Sequence, residues 1–174
     1  MIAFDDARRR VLAAAAMIAA ERIPVNASMG RIVAEDVFSP EHLPSFDNTA
    51  MDGFALATGG QAMPEGTELV VFAALAAGEA APAGCEGACE IMTGAPMPDG
   101  LDAVIPVEQV MVLEQDDEKR PQRIRLLHAV PPGANVRRRG QDVAAGDLIM
   151  PAGTRIGAPE RMVLAALGIA GISV

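Results

Sequence analysis

The side chains in this sequence that are able to do chemistry lie mainly in polar, glycine-punctuated stretches. Leu43 to Leu56, LPSFDNTAMDGFAL, places three oxygen-bearing side chains, Asp47, Asn48 and Thr49, just ahead of Met51-Asp52-Gly53. An Asp-Gly pair read in isolation is a turn. A loop this rich in polar side chains, set between apolar runs, is where a β scaffold usually carries its site. Cys85 and Cys89 lie four positions apart in a Gly/Ala-rich segment, with His42 and His128 far away in sequence. Four ligands are normal for a structural zinc, so the pair reads as two reduced thiols. No Ser-His-Asp constellation, HExxH, P-loop or strand–GxGxxG–helix unit occurs, and the residue types alone therefore define no complete catalytic apparatus.

These loops need a scaffold. Asp5 and Asp6 precede apolar residues at Ala7, Val11, Leu12, Ala15 and Ile18. That spacing is helical, and acids at its start suit the positive end of the helix dipole. A helix is expected over residues 5–21, limited by Pro24, with Arg8, Arg9 and Arg10 on its solvated face. Residues 31–38 read as a strand, and 39–48, with two prolines, as a loop. Further strands are expected at 50–56, 68–75 and 102–107, with 76–88 irregular. Residues 109–113 and 123–127 alternate as a hairpin around the charged EQDDEKRPQ. Gly140, Gly146, Gly153 and Gly157 are spaced as in successive β-turns. A short helix at 158–167, with Pro159 in its first turn, and a strand at 169–174 follow. The sum is a mainly-β chain with some α, one helix near each end.

Composition narrows the function classes. Net charge is −9 and aromatics make up 3% of 174 residues, with no Trp or Tyr. The charge repels polyphosphate backbones and the lack of rings removes a base-stacking surface, so nucleic acid is not an expected partner. The apolar run from Val11 to Ala20 is too short to cross a bilayer, and MIAFDDARRR has no charged-then-apolar signal pattern. No membrane partner is expected, and the expected location is cytoplasmic.

Taken whole, LPSFDNTAMDGFAL closely resembles the signature loop of the molybdopterin molybdenumtransferases, the MoeA and gephyrin E-domain family, approximately LPxFDNSAMDGYA. Thr49 stands for the usual Ser and Phe54 for the usual Tyr. GRIVAEDV at 30–37 resembles GRVLAEDV, and TGAPMPDGLDAVIPVE at 93–108 is similar to TGAxxPxGADAVVxxE. GANVRRRGQDVAAGDLI at 133–149 resembles GxNVRxxGEDIxxGDxL. The blocks occur in the family's order along almost the whole chain.

The resemblance implies molybdenum cofactor biosynthesis: insertion of molybdate into adenylylated molybdopterin with release of AMP, dependent on Mg2+. It also implies coiled and bifurcated β-sheets with one domain inserted in another, residues 1–44 plus 131–174 forming the outer domain and 45–130 the inserted β domain. Asp52, Thr93 and Asp142 match family positions needed for activity. Asn48, Thr49, Gly94 and Arg137 are expected to contact substrate. Carboxylates such as Asp52 and Asp142 can hold magnesium, which prefers oxygen ligands and bridges phosphates. Thr93-Gly94 offers a hydroxyl and an open backbone N–H to an oxyanion. Within Arg137, Arg138 and Arg139, one side chain is expected to face a phosphate and the others water. Glu108 reads as structural.

The resemblance implies a homodimer whose active cleft lies between this region and the third domain of a partner subunit, absent from this sequence. The chain is accordingly expected to supply one wall of a site and to be inactive alone. The other readings of the same residues are one half of a split transferase and a non-catalytic dimerisation or scaffold module.

Overall fold

The computed structural model describes residues 2–16, 18–82 and 86–174. Its elements are α1 (Phe4–Ala14), β1 (Arg22–Pro24), β2 (Val37–Phe38), β3 (Asn48–Thr49), β4 (Gly53–Leu56), β5 (Glu68–Leu75) and β6 (Ala88–Ile91). After these come β7 (Ala103–Pro106), β8 (Val110–Gln115), β9 (Pro121–Leu126), β10 (Val136–Arg137), β11 (Leu148–Met150), α2 (Ala158–Ala166) and β12 (Gly171–Ser173). The chain is mainly β, as its alternation and turn chemistry predict. Among the described residues no helix is long and apolar enough to cross a membrane.

The chain forms two compact units, Met1–Phe38 with Leu148–Val174, and Ser39–Asp147. The second is thus inserted into the first. Residues 39–44 and 131–147 belong to the inserted unit because they pair with each other: Leu43 bridges Val143, and the Gly140 N–H donates to the Pro44 carbonyl at 2.9 Å.

In the outer unit β1 pairs antiparallel with β12 and β2 with β11. Its core joins Val25 and Val33 to Met150, Ile156, Leu164 and Ile172. The expected strand over 31–38 shortens to Val37–Phe38, because the stretch changes partner along its length. Ile32 bridges Arg155, the Val33 N–H donates to Thr154, and that of Ala34 to Ser173. The Asp36 side chain then accepts the Ala152 N–H at 2.8 Å. The N-terminal helix ends at Ala14 instead of residue 21, and it buries none of its residues. With no packing to extend it, an isolated helix of this length is marginal.

The inserted unit is built on a six-stranded sheet in the order β7-β4-β6-β5-β9-β8. The sheet divides along β5. Glu68 to Val70 pair with β9, and Val71 to Leu75 pair parallel with β6. Strand β6 begins inside the segment expected to be irregular, since Ala88-Cys89-Glu90-Ile91 carries no alternation and is made a strand by β4 and β5 on its two sides. Strand β4 is buried along its length. Phe54 and Leu56 pack with Ile105, Ile124 and Leu126 on one face, while Ala55 packs with Leu75, Ile91 and Val104 on the other, the period of a strand covered on both sides. Gly53 opens this strand and is not a turn residue: a Cβ there would sit 2.0 Å from the Ile105 carbonyl oxygen. The turn glycines Gly140, Gly146 and Gly153 have positive φ, whereas Gly157 precedes α2 at φ −107° and donates its N–H to Glu160 at 2.9 Å.

Candidate functional site

All seven residues expected at the site, Asn48, Thr49, Asp52, Thr93, Gly94, Arg137 and Asp142, lie in the inserted unit. Strand β3, only Asn48 and Thr49, ties them together. On one edge the Thr49 N–H donates to Ala95 at 3.1 Å and the Gly94 N–H donates to Thr49 at 3.0 Å. On its other edge Thr49 faces Val136 and Asn48 faces Arg137 in β10. Both β3 residues are buried. The Thr49 hydroxyl donates to the Met51 carbonyl at 2.6 Å and accepts the Met51 N–H at 3.1 Å, closing the turn that delivers Asp52.

Asp52 is exposed and asymmetrically held. Its Oδ1 accepts both the backbone N–H and the hydroxyl of Thr93, each at 2.7 Å. Those donors, the amide first, pull its pKa below the ordinary carboxylate range because they favour the charged form. Its Oδ2 accepts no hydrogen bond from the described residues. A second Asp–Thr pair shows the contrast. Asp102 is half-buried and uses both oxygens on Thr58, accepting the N–H at 2.7 Å and the hydroxyl at 2.6 Å. Asp102 is closed by its own chain; Asp52 keeps an open oxygen. The donors of Thr93 and the Gly94 amide are likewise committed within the chain. Thr93 thus orients Asp52, while the Gly94 N–H holds the Thr49 carbonyl.

Arg137 and Asp142 form an ion pair, each somewhat less than half exposed. Next to it is a residue that motif reading left without a role. Asp47 Oδ1 accepts the Arg139 backbone N–H and its Oδ2 accepts Arg138 Nη1, both at 2.7 Å, while its carbonyl accepts the Met97 N–H at 2.9 Å. The Arg139 amide above all, then the Arg138 side chain, lowers the Asp47 pKa. Asp47 thus fastens the β3 loop to the loop that carries Arg137 and Asp142. In sequence only its place among three oxygen-bearing side chains marks it, because its partners are about ninety residues away.

Among the described residues no group of three or more His, Cys, Asp or Glu side chains gathers to hold a metal ion. Cys85 lies outside the described residues, and Cys89 is buried in β6. Glu108 is exposed in a single 3-10 turn following β7.

Known proteins match this arrangement along its length. A family model described as the MoeA N-terminal region (domain I and II) matches residues 2–168. Molybdopterin molybdenumtransferase of Synechococcus elongatus is 36% identical over 158 residues, covering 87% of this chain, and that of Haemophilus influenzae is 35% identical over 173 residues, covering 98%. The chain spans 38% and 41% of the lengths of these two relatives. The crystal structure of a molybdopterin biosynthesis MoeA protein from Pyrococcus horikoshii matches with a TM-score of 0.83 and 29% identity, over 99% of this chain and 44% of that one. With the loop, its Asp–Thr pair and the model match in agreement, the chain belongs to the MoeA N-terminal region family.

Proposed function

We propose that the protein acts in molybdenum cofactor biosynthesis as the N-terminal part of a molybdopterin molybdenumtransferase, which inserts molybdate into adenylylated molybdopterin and releases AMP. The observation that carries this reading is the Asp52–Thr93 pair, a charged, exposed carboxylate with one oxygen fixed and the other open. Asp52 is the catalytic acid position, and Thr93 orients it. Asn48 and Thr49, buried, and Gly94, exposed beside Thr93, serve the substrate by framing that pair, and Arg137 with Asp142 borders the same β3 strand as a neutralised couple.

Mg2+ fits this set at one point only. Magnesium keeps several waters and takes one or two carboxylates together with substrate phosphates. Asp52 suits a single protein ligand through its open oxygen, whereas Asp142 is engaged by Arg137. When bound, the ion would offset phosphate charge and orient phosphate oxygens beside Asp52. The proposal includes a cytoplasmic homodimer in which the third domain of the partner subunit supplies the facing wall.

The test is Asp52→Asn in the complete gene product that contains this chain, assayed for molybdate-dependent AMP release from adenylylated molybdopterin. Asn keeps an acceptor for both Thr93 donors and removes only the charge. Turnover should fall about 100-fold or more, the size expected when a preorganised electrostatic contact is lost. Activity within about twofold of wild type, well below that expected loss, would remove Asp52 from the mechanism.

A further inference from the structure

The three consecutive arginines are paired unevenly. Arg137 is engaged by Asp142 and Arg138 by Asp47. The Arg139 guanidinium has no carboxylate partner among the described residues; only its backbone N–H serves Asp47. Its side chain lines a depression of about 370 Å³ together with Pro40, Glu41, His42, Ser45 and Ala145.

The His42 ring is held there by a backbone contact. The Ala145 N–H donates to its Nδ1 at 3.3 Å. With Nδ1 serving as this acceptor, Nε2 is the ring atom left for a ligand. The ring also depends on Gly140, the residue after Arg139, where a Cβ would lie 2.6 Å from Nδ1. The absent side chain is what lets the imidazole settle beside the arginine loop. Ser45, exposed at the same depression, adds a hydroxyl. A guanidinium, an imidazole and a hydroxyl-bearing residue thus line one space. A tetrahedral oxyanion takes such a set well: the fork gives two parallel charge-assisted hydrogen bonds, and neutral donors serve the remaining oxygens.

We infer that this depression is a subsite for a phosphate-class oxyanion, held by Arg139 with His42 and Ser45 as neutral donors. One group opposes it. Glu41, exposed on the same lining, repels an anion and competes for Arg139. Its removal should therefore tighten binding. The inference rests on geometry around Arg139 and is independent of the molybdopterin reading.

The experiment is an NMR titration of the isotope-labelled 174-residue chain with inorganic phosphate and, separately, with AMP. It follows the Arg139 side-chain N–H, the His42 ring and the Ser45 amide, with chloride at matched ionic strength as the reference. Saturable shifts with phosphate but not chloride are expected. Arg139→Ala should weaken binding about tenfold or more and Arg139→Lys less, since lysine keeps the charge without the fork. Glu41→Gln should tighten it about two- to fivefold by removing a like charge. Tighter binding of AMP than of phosphate would identify a nucleotide phosphate as the natural source, and equal binding a free oxyanion; either supports the subsite. Backbone amide shifts elsewhere report whether Arg139→Ala remains folded, its own N–H still being available to Asp47. No saturable phosphate shift in the wild-type chain would overturn the inference, as would unchanged affinity in a folded Arg139→Ala chain.

Discussion

At Asp52 the two oxygens of one carboxylate have different surroundings, and that asymmetry sets its chemistry. Oδ1 is held by two donors of Thr93, and the other oxygen is left to solvent. Because the folded pKa of Asp52 is depressed, the pair stabilises the fold above the unfolded carboxylate pKa. That contribution is lost as pH falls through the folded value. Thr93→Val keeps the amide donor and deletes the hydroxyl, so the Asp52 pKa should rise part of the way towards its ordinary value, as read by NMR titration of the carboxyl carbon. An unchanged pKa would mean that the hydroxyl does not hold Asp52 in solution. Asp52 and Thr93 were legible in the sequence through the motifs around them, but the hydrogen bonds joining them were not, since they span about forty residues. Asp47 was harder to read. Its work as a clamp depends on Arg138 and on a backbone amide, and a backbone amide leaves no mark in side-chain spacing.

The elements divide into those that an apolar pattern fixes and those that neighbours fix. The β8–β9 hairpin follows from alternating residues such as Ile124 and Leu126, and strand β5 from a short continuous apolar run, Leu69 to Leu75. Strand β6 and the two-residue strands β3 and β10 have no such pattern and exist through their pairing. Helix α1 is the opposite case, with a helical pattern but no surface to cover it among the described residues: Val11 is 71% and Leu12 62% exposed. Leu12→Ala should therefore shift the chemical-denaturation free energy of the 174-residue chain by less than about 0.5 kcal/mol. Ile124→Ala, in the core of the inserted unit at 0% exposure, should cost about 2–5 kcal/mol. A large loss from Leu12→Ala would show that α1 packs on something in the folded chain.

For the whole molecule, apolar packing follows the division into two units. The clusters around Phe54 and around Ala55 draw only on residues of the inserted unit, whereas the outer core joins Val25 and Val33 from one end of the chain to Met150, Ile156, Leu164 and Ile172 from the other. Residues 39–147 expressed separately should consequently fold, giving dispersed amide resonances and a cooperative melt. Residues 1–38 alone should not, having only part of a core. An unfolded 39–147 segment would show that the inserted unit draws its stability from the outer one. The sequence by itself determined the mainly-β character, the longer strands, the glycine turns and, through four ordered blocks, the family, because strand periodicity, backbone sterics and side-chain identity are local quantities. Only the tertiary structure decided where the sheet divides, that Gly53 serves a close strand approach and not a turn, and that β3 gathers Asp52, Thr93, Arg137 and Asp142. It alone distinguished Arg139, the arginine without a carboxylate partner among the described residues, from its two paired neighbours. Many of those decisions were made by pairings and contacts between residues about forty to ninety positions apart, and no local pattern encodes which distant partner will arrive.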